Sequence, residues 1–178
     1  MRKFVLTYGL IAGAMLSAMM LLTLPFMDAI GFDYGMLVGY TTMVAAFLMV
    51  YFGVRSYRDG SPDGRITFGH AFRVGLLITL VATVCYVATW ELIYYKLAPD
   101  FGDKFAAHTV EQARASGATE AEIAKRMQEM AEFRVQYQKP LVNIAYTFLE
   151  PLPVGLLFTL GTAWRLSRRR RDDAVAAA

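Results

Sequence analysis

Four long apolar stretches, at residues 4–26, 34–54, 72–94 and 141–163, constrain this chain more than any other feature. A helix rises about 1.5 Å per residue, so each stretch is long enough to cross a bilayer core of about 30 Å. In lipid, a spanning segment must satisfy its own backbone hydrogen bonds, as a helix does. We therefore predict an all-α integral membrane protein, a four-helix bundle that forms one domain over residues 1–178.

The first stretch has the basic start of a secretory signal peptide, at Arg2 and Lys3. Its apolar run continues to Phe26, which is longer than the apolar core of a typical signal peptide. We therefore expect this stretch to remain as a membrane span.

The basic residues predict how the spans are oriented. Two of them precede the first stretch, three arginines lie in the connection at residues 55–67, and a basic tail follows at residues 165–178. The connection at residues 27–33 carries only acidic charges, and acidic and basic residues balance in the long connection at residues 96–139. Because cytoplasmic loops are enriched in Lys and Arg, we expect both termini in the cytoplasm.

The long connection is predicted to form a helical hairpin outside the membrane, at about residues 101–138. Thr119-Glu120-Ala121-Glu122 has the pattern of a capping box, which satisfies free amides at the start of a helix. Residues spaced by three or four then follow on one helical face, namely Ile123, Met127, Met130, Arg134 and Tyr137. Gly117 is expected to end a shorter helix that starts near Asp103. The hairpin is either a solvated cap for the bundle or an arm that binds a partner.

Glu150 is the strongest candidate for a functional residue, because it lies about 14 Å inside the fourth stretch, near the middle of the membrane. An acid at that depth is costly and suggests a functional site. Asn143, Tyr146 and Glu150 are spaced by three and four and form one polar stripe, while Glu91 near the end of the third stretch is a weaker candidate. We favour a kinked helix in which a protonated Glu150 hydrogen-bonds another helix; the alternative is an ion or proton site at these four residues.

Two prolines after Glu150 indicate a broken helix. Pro151 and Pro153 have no amide hydrogen to donate to the carbonyls of Thr147 and Leu149. Such a break is tolerated only where it faces protein or water, and transporters build ion sites from similar breaks.

Small residues recur every four positions in the first two stretches, namely Gly9, Gly13 and Ser17, and then Gly35 and Gly39. Ladders of this kind let helices approach closely. We expect them to pack against helices, and the pattern does not separate contacts within the chain from dimerisation.

Arginines at the predicted cytoplasmic side are expected to contact lipid headgroups, namely Arg65, Arg73, Arg168, Arg169, Arg170 and Arg171. Beside a membrane span, such a run indicates anionic lipid rather than nucleic acid. Phe68 and Phe72 are expected to anchor the same segment at the interface, close to the unusually apolar Ile66.

Metal and cofactor chemistry has few candidates in this sequence. It has one cysteine, Cys85, and two histidines, His70 and His108, that lie far apart. It contains no nucleotide-binding or hydrolase motif. We predict no catalytic residue, no metal and no cofactor.

Several segments are similar to a known family. YFGVRSYRD at residues 51–59, GRITFGHAFRVG at residues 64–75 and EPLPVG at residues 150–155 resemble the signature of domain of unknown function family 4199. The resemblance spans nearly the whole chain, and it implies a small four-helix protein of the bacterial inner membrane. It brings no reaction, substrate or cofactor.

Three functions remain open from the sequence. We favour a non-enzymatic structural or interaction protein that acts through helix packing, in contact with the bilayer and with a second copy or a membrane partner. The alternative is a small transporter or proton-coupled subunit organised around Glu150. A lipid-modifying enzyme that uses His70 and Arg73 is the least favoured.

Overall fold

The computed structural model describes the backbone of residues 1–176 and the side chains of residues 1–167. This part of the chain is helical and has no strand, which confirms the all-α prediction. The helices are α1 (Arg2–Thr23), α2 (Met27–Asp59), α3 (Phe68–Leu92), α4 (Phe101–Ala115), α5 (Glu120–Tyr137), α6 (Pro140–Leu149) and α7 (Leu152–Ala176). A short 3-10 helix, Leu24–Phe26, joins α1 to α2.

Three helical segments among the described residues are long and apolar enough to cross a membrane, namely Arg2–Asp59, Phe68–Leu97 and Pro140–Ser167. The first and second predicted stretches therefore belong to one segment of 58 residues. This segment reverses direction at Gly31, whose φ of 73° and ψ of 164° lie in a region open almost only to glycine. As a result, the Tyr8 hydroxyl near the start of α1 lies 2.7 Å from Ser56 Oγ near the end of α2.

α3 is the central helix, and α1, α2, α6 and α7 all pack against it. Two glycines of α1 lie on this contact: a Cβ at Gly9 would come within 2.7 Å of Val81, and one at Gly13 within 2.6 Å of Cys85. Ser17 continues the same stripe, with its Oγ 2.7 Å from Thr89 Oγ1. The first predicted ladder therefore lies against α3.

The second ladder has no such neighbour. A Cβ added at Gly35 or Gly39 would meet nothing within 4 Å, so these two glycines make no close packing contact within the described chain. The reason is that α2 packs along α7 over its inner half but has little contact with α6 over its outer half. Of the two alternatives left by the sequence, contact within the chain is therefore not what the described residues show for Gly35 and Gly39.

α3 ends in a wide π-helical turn, Ile93–Leu97, in which the Ala98 amide donates to the Ile93 carbonyl at 2.8 Å. The outer hairpin, α4 and α5, follows. Gly117 has a φ of 81° directly after α4, as predicted for a residue that ends the helix. The Thr119 amide donates to Glu122 Oε2 at 2.8 Å, and the Glu122 amide donates to Thr119 Oγ1 at 3.3 Å, so the predicted capping box is confirmed.

At the opposite end of the bundle, the connection between α2 and α3 is partly buried. Ile66 is buried in the core, which explains its apolar character, and the rings of Phe68 and Phe72 stack with their centroids 6.2 Å apart. Arg65 and Arg73 are exposed, as side chains that contact headgroups must be. The side chains of Arg168, Arg169, Arg170 and Arg171 lie outside the described residues.

Candidate functional site

The predicted helix break at Glu150 is present. α6 ends at Leu149 and α7 begins at Leu152, so the interruption falls on Glu150 and Pro151. Glu150 itself keeps helical dihedral angles, with φ of −63° and ψ of −54°. The helix is therefore interrupted in its hydrogen bonding by the two prolines, while its backbone path continues.

Glu150 pairs with a tyrosine of the central helix. The Tyr86 hydroxyl donates to Glu150 Oε2 at 2.8 Å. Tyr86 is buried, whereas Glu150 is exposed at the surface of the bundle. Tyr86 thus links the central helix to the Glu150 carboxylate at the end of α6.

Sequence reasoning missed the polar residues of α3 that face α6 and α7. Thr79, Thr83, Tyr86 and Trp90 are spaced by four, three and four, which places them on one helical face. Thr79 Oγ1 lies 3.2 Å from Thr159 Oγ1 of α7, and Thr83 Oγ1 is buried without a partner. The spacing was the available signal, although threonines in an apolar stretch are common enough to be passed over.

A chain of hydrogen bonds ties the outer hairpin to α6. Trp90 Nε1 donates to the Tyr137 hydroxyl at 3.0 Å, and that hydroxyl lies 3.3 Å from Thr147 Oγ1. Thr147 Oγ1 donates to Asn143 Oδ1 at 3.2 Å. Because an indole only donates and an amide oxygen only accepts, this chain has one direction and cannot pass protons along. These hydrogen bonds hold the hairpin in position against α3 and α6. Burial raises the pKa of the Tyr137 hydroxyl.

The four predicted site residues do not form one cluster. Asn143 is fully buried and its Nδ2 has no partner, while Tyr146 is exposed and its ring packs edge-on against Phe133 at 5.7 Å. Thr147 takes the inward position beside Asn143 that the prediction gave to Tyr146. Glu91 is half-buried with Oε1 unpartnered, and the partner of Glu150 is Tyr86 rather than Glu91.

The outer half of α2 leaves one side of the site open. Met36, Tyr40, Met43 and Phe47 follow each other at the spacing of one helical face. Met43 and Phe47 are 2% and 0% exposed in the core, but Met36 and Tyr40 are 61% and 48% exposed. The face that packs into the core therefore continues into an exposed surface. We call this surface, together with Tyr146 and the Tyr86–Glu150 pair, the outer cleft.

The hairpin also holds the turn between α1 and α2. The ring of Phe32 packs against Phe101 and Phe105, each with centroids 5.6 Å apart, and against the ring of His108 at 5.0 Å. Lys104 Nζ lies 3.0 Å from Asp28 Oδ1, and its hydrogen bond to Asp28 raises the pKa of Lys104.

Among the described residues, no group of three His, Cys, Asp or Glu side chains is placed to hold a metal ion. No curated protein and no solved structure matches the chain. A family model described as "Protein of unknown function (DUF4199)" matches residues 7–168, which is most of the sequence. The chain therefore belongs to the DUF4199 family.

Proposed function

We propose that this chain is a four-span protein of the bacterial inner membrane with both termini in the cytoplasm. The reversal at Gly31 supports two crossings by the segment Arg2–Asp59, since each half is long enough to span. The ion pair between Lys104 and Asp28 supports placing the first turn and the outer hairpin on one side. The basic connection at residues 55–67 lies at the other end of the bundle, as the positive-inside rule requires.

Within the membrane, we propose a non-enzymatic interaction protein that binds a transmembrane helix of another molecule in the outer cleft. The observation that carries this proposal is the exposed outer half of α2, where Met36 and Tyr40 continue a core-facing register without covering residues. A helix face with this pattern is suited to a partner helix. Gly35 and Gly39 beside it allow close approach.

The exposed acid in the cleft supports the same function. A charged side chain near the middle of a bilayer costs about 2.5–3.5 kcal/mol on insertion scales. Glu150 lies at that depth, and its carboxylate accepts one hydrogen bond within the described chain, from Tyr86, while the residue remains exposed at the bundle surface. Covering Glu150 with a second helix would remove its contact with lipid.

A spin label on residue 40 tests this proposal. In purified protein in lipid vesicles, the label is expected to be accessible to lipid-soluble oxygen, because Tyr40 is exposed. In native membranes, the partner should lower that accessibility several-fold. A label at Leu10, an exposed residue of α1, serves as the control and should not change. Equal accessibility of residue 40 in both preparations would contradict the proposal.

The hydrogen bond from Tyr86 to Glu150 at an interrupted helix favours a second candidate, a proton-coupled subunit. Vesicles that contain the protein and a pH-sensitive dye distinguish the two. The interaction function predicts the same proton flux as empty vesicles. The second candidate predicts flux that Glu150→Gln abolishes and Glu91→Gln leaves intact.

A further inference from the structure

We infer that the partner helix carries a lysine or arginine at mid-membrane depth and that this basic side chain pairs with Glu150. The inference rests on the proposed function, because it specifies the chemistry of the helix that fills the outer cleft. Glu150 lies ten residues after the start of α6 at Pro140, hence about 15 Å along the helix from the outer end. A cation must reach that depth to pair with Glu150.

This chain has no cation of its own for Glu150. Residues 4–54, 74–95 and 140–164 contain no Lys, Arg or His, and Arg73, the one basic residue of the four apolar stretches, lies near the start of α3, far from Tyr86 and Glu150. Tyr86 occupies one carboxylate oxygen with a single hydrogen bond. An ionised carboxylate accepts about four hydrogen bonds, so most of its capacity is unused.

The same fact argues against a second copy as the occupant. A homodimer formed through the cleft would bring a second Glu150 and further tyrosines, but no basic side chain at the depth of Glu150. Two carboxylates close together in a low dielectric repel each other when ionised. We therefore assign the cleft to a different chain.

The walls of the cleft fit a basic side chain. Met36, Tyr40 and Tyr146 are exposed, so they offer apolar surface for the methylene stem of a lysine or arginine. The exposed ring of Tyr40 also offers a face that attracts cations.

Pairing lowers the free-energy cost of placing both charged side chains in the membrane. A lysine or arginine in the centre of an isolated helix costs about as much to insert as the acid does, about 2.5–3.5 kcal/mol. Pairing in the cleft gives each charge its counter-charge where the dielectric is low. A helix of leucines alone would fill the same space but leave the carboxylate without a cation.

Model helices in vesicles test this inference. The full chain is labelled with a donor fluorophore and mixed with acceptor-labelled, 23-residue leucine–alanine helices that carry Lys, Leu or Glu at the centre. We expect energy transfer to show at least tenfold stronger association of the Lys helix than of the other two. Glu150→Gln should remove that difference, whereas Glu91→Gln, which changes the other membrane carboxyl group, should retain it.

Three results would overturn the inference: equal association of the Lys and Leu helices, preferred association of the Glu helix, or a lysine preference that survives Glu150→Gln. If Glu150→Gln does not fold, helices with the lysine moved seven residues from the centre replace it. The preference should then fall with depth, and a preference independent of depth overturns the inference.

The two proposals can fail separately. If residue 40 is protected in native membranes but model helices show no lysine preference, the interaction function stands and the basic partner is wrong. If the Lys helix binds through Glu150 but residue 40 is unprotected in native membranes, the cleft chemistry is correct and the interaction function is wrong.

Discussion

Gly13 illustrates how a single residue controls the approach of two helices in this bundle. A Cβ there would lie 2.6 Å from the Cβ of Cys85, which is closer than real atoms approach. The spacing of small residues predicted close helix packing here without identifying the partner helix. The same spacing at Gly35 meets no helix within the described chain, since spacing does not reveal where a helix leaves the bundle.

Gly13→Ala is therefore expected to destabilise the protein by about 1–3 kcal/mol, because an overpacked contact forces α1 away from α3. The unfolding free energy in mild detergent, measured by titration with denaturing detergent, checks this. Gly35→Ala is the matched control, since its added methyl group meets nothing within 4 Å. A loss of stability as large in Gly35→Ala as in Gly13→Ala would contradict the observed packing.

The hydroxyl of Tyr86 makes the one hydrogen bond to Glu150 that the described structure shows. Tyr86→Phe should lower the unfolding free energy by about 0.6 kcal/mol, the average for hydrogen bonds between membrane helices, and by about 1.7 kcal/mol at most. Tyr34→Phe, at an exposed tyrosine of α2, should leave the unfolding free energy unchanged. The same titration measures both variants, and indistinguishable values would mean that the bond contributes nothing.

The sequence predicted the helix break at Glu150 but not the side chains that surround this residue. Spacings of three and of four both keep residues on one face, so Tyr146 and Thr147 were equally compatible with the stripe that begins at Asn143. Thr147 faces inward because Tyr137, on another helix, meets it there. That contact depends on the docking of the hairpin, which no local pattern encodes.

At the scale of the elements, helix α5 depends on its first turn. The hydrogen bond from the Thr119 amide lowers the pKa of Glu122 below its usual 4.5. A carboxyl group with a lowered pKa stabilises the folded state fully above pH 4.5, and this stability is lost as the pH falls through the lowered value.

Thr119→Ala should destabilise α5 by about 1 kcal/mol, the usual effect of losing a cap. Hydrogen exchange of the amides at residues 120–124 checks this, and their protection should also fall in the unmodified protein below pH 4.5. Thr109→Ala serves as the control, because Thr109 bonds only within its own helix, to the Phe105 carbonyl. Unchanged protection in Thr119→Ala would show that the cap does not hold the helix start.

The hairpin was the element that sequence predicted best, since capping boxes and glycine stops are local signals. The first turn was predicted less well. The sequence suggested a short connection at residues 27–33, whereas the chain stays helical to Ile30 and reverses at Gly31. Nothing in the composition of those residues separates Gly31 from other glycines, because its conformation depends on how α1 and α2 both dock on α3.

For the whole molecule, the arrangement predicts which parts of the chain share a side of the membrane. In a Cys85→Ala background, single cysteines at residues 63 and 121 should react from opposite sides of intact cells or vesicles. Residue 63 should react only after permeabilisation, and residue 121 should react with an impermeant reagent added outside. Reaction of both positions from the same side would contradict four crossings.

The overall architecture was predictable in outline, because the hydrophobic effect and backbone hydrogen bonding act on long segments that single residues do not alter. The four apolar stretches occupy α1, α2, α3 and α6–α7 as expected. Their uneven packing was not predictable. The outer cleft exists because α2 packs along α7 and has little contact with α6. Which helix α2 packs against is a property of the assembled bundle.

The wide turn at Ile93–Leu97 has a consequence for insertions and deletions. Removing one of its residues would restore ordinary α-helical spacing and leave α3 whole. Everything after that point would rotate by about 100° and shift by about 1.5 Å relative to α3. Phe101 and Lys104 would then face away from the first turn. The chain length at this one place thus determines the direction in which its outer portion emerges.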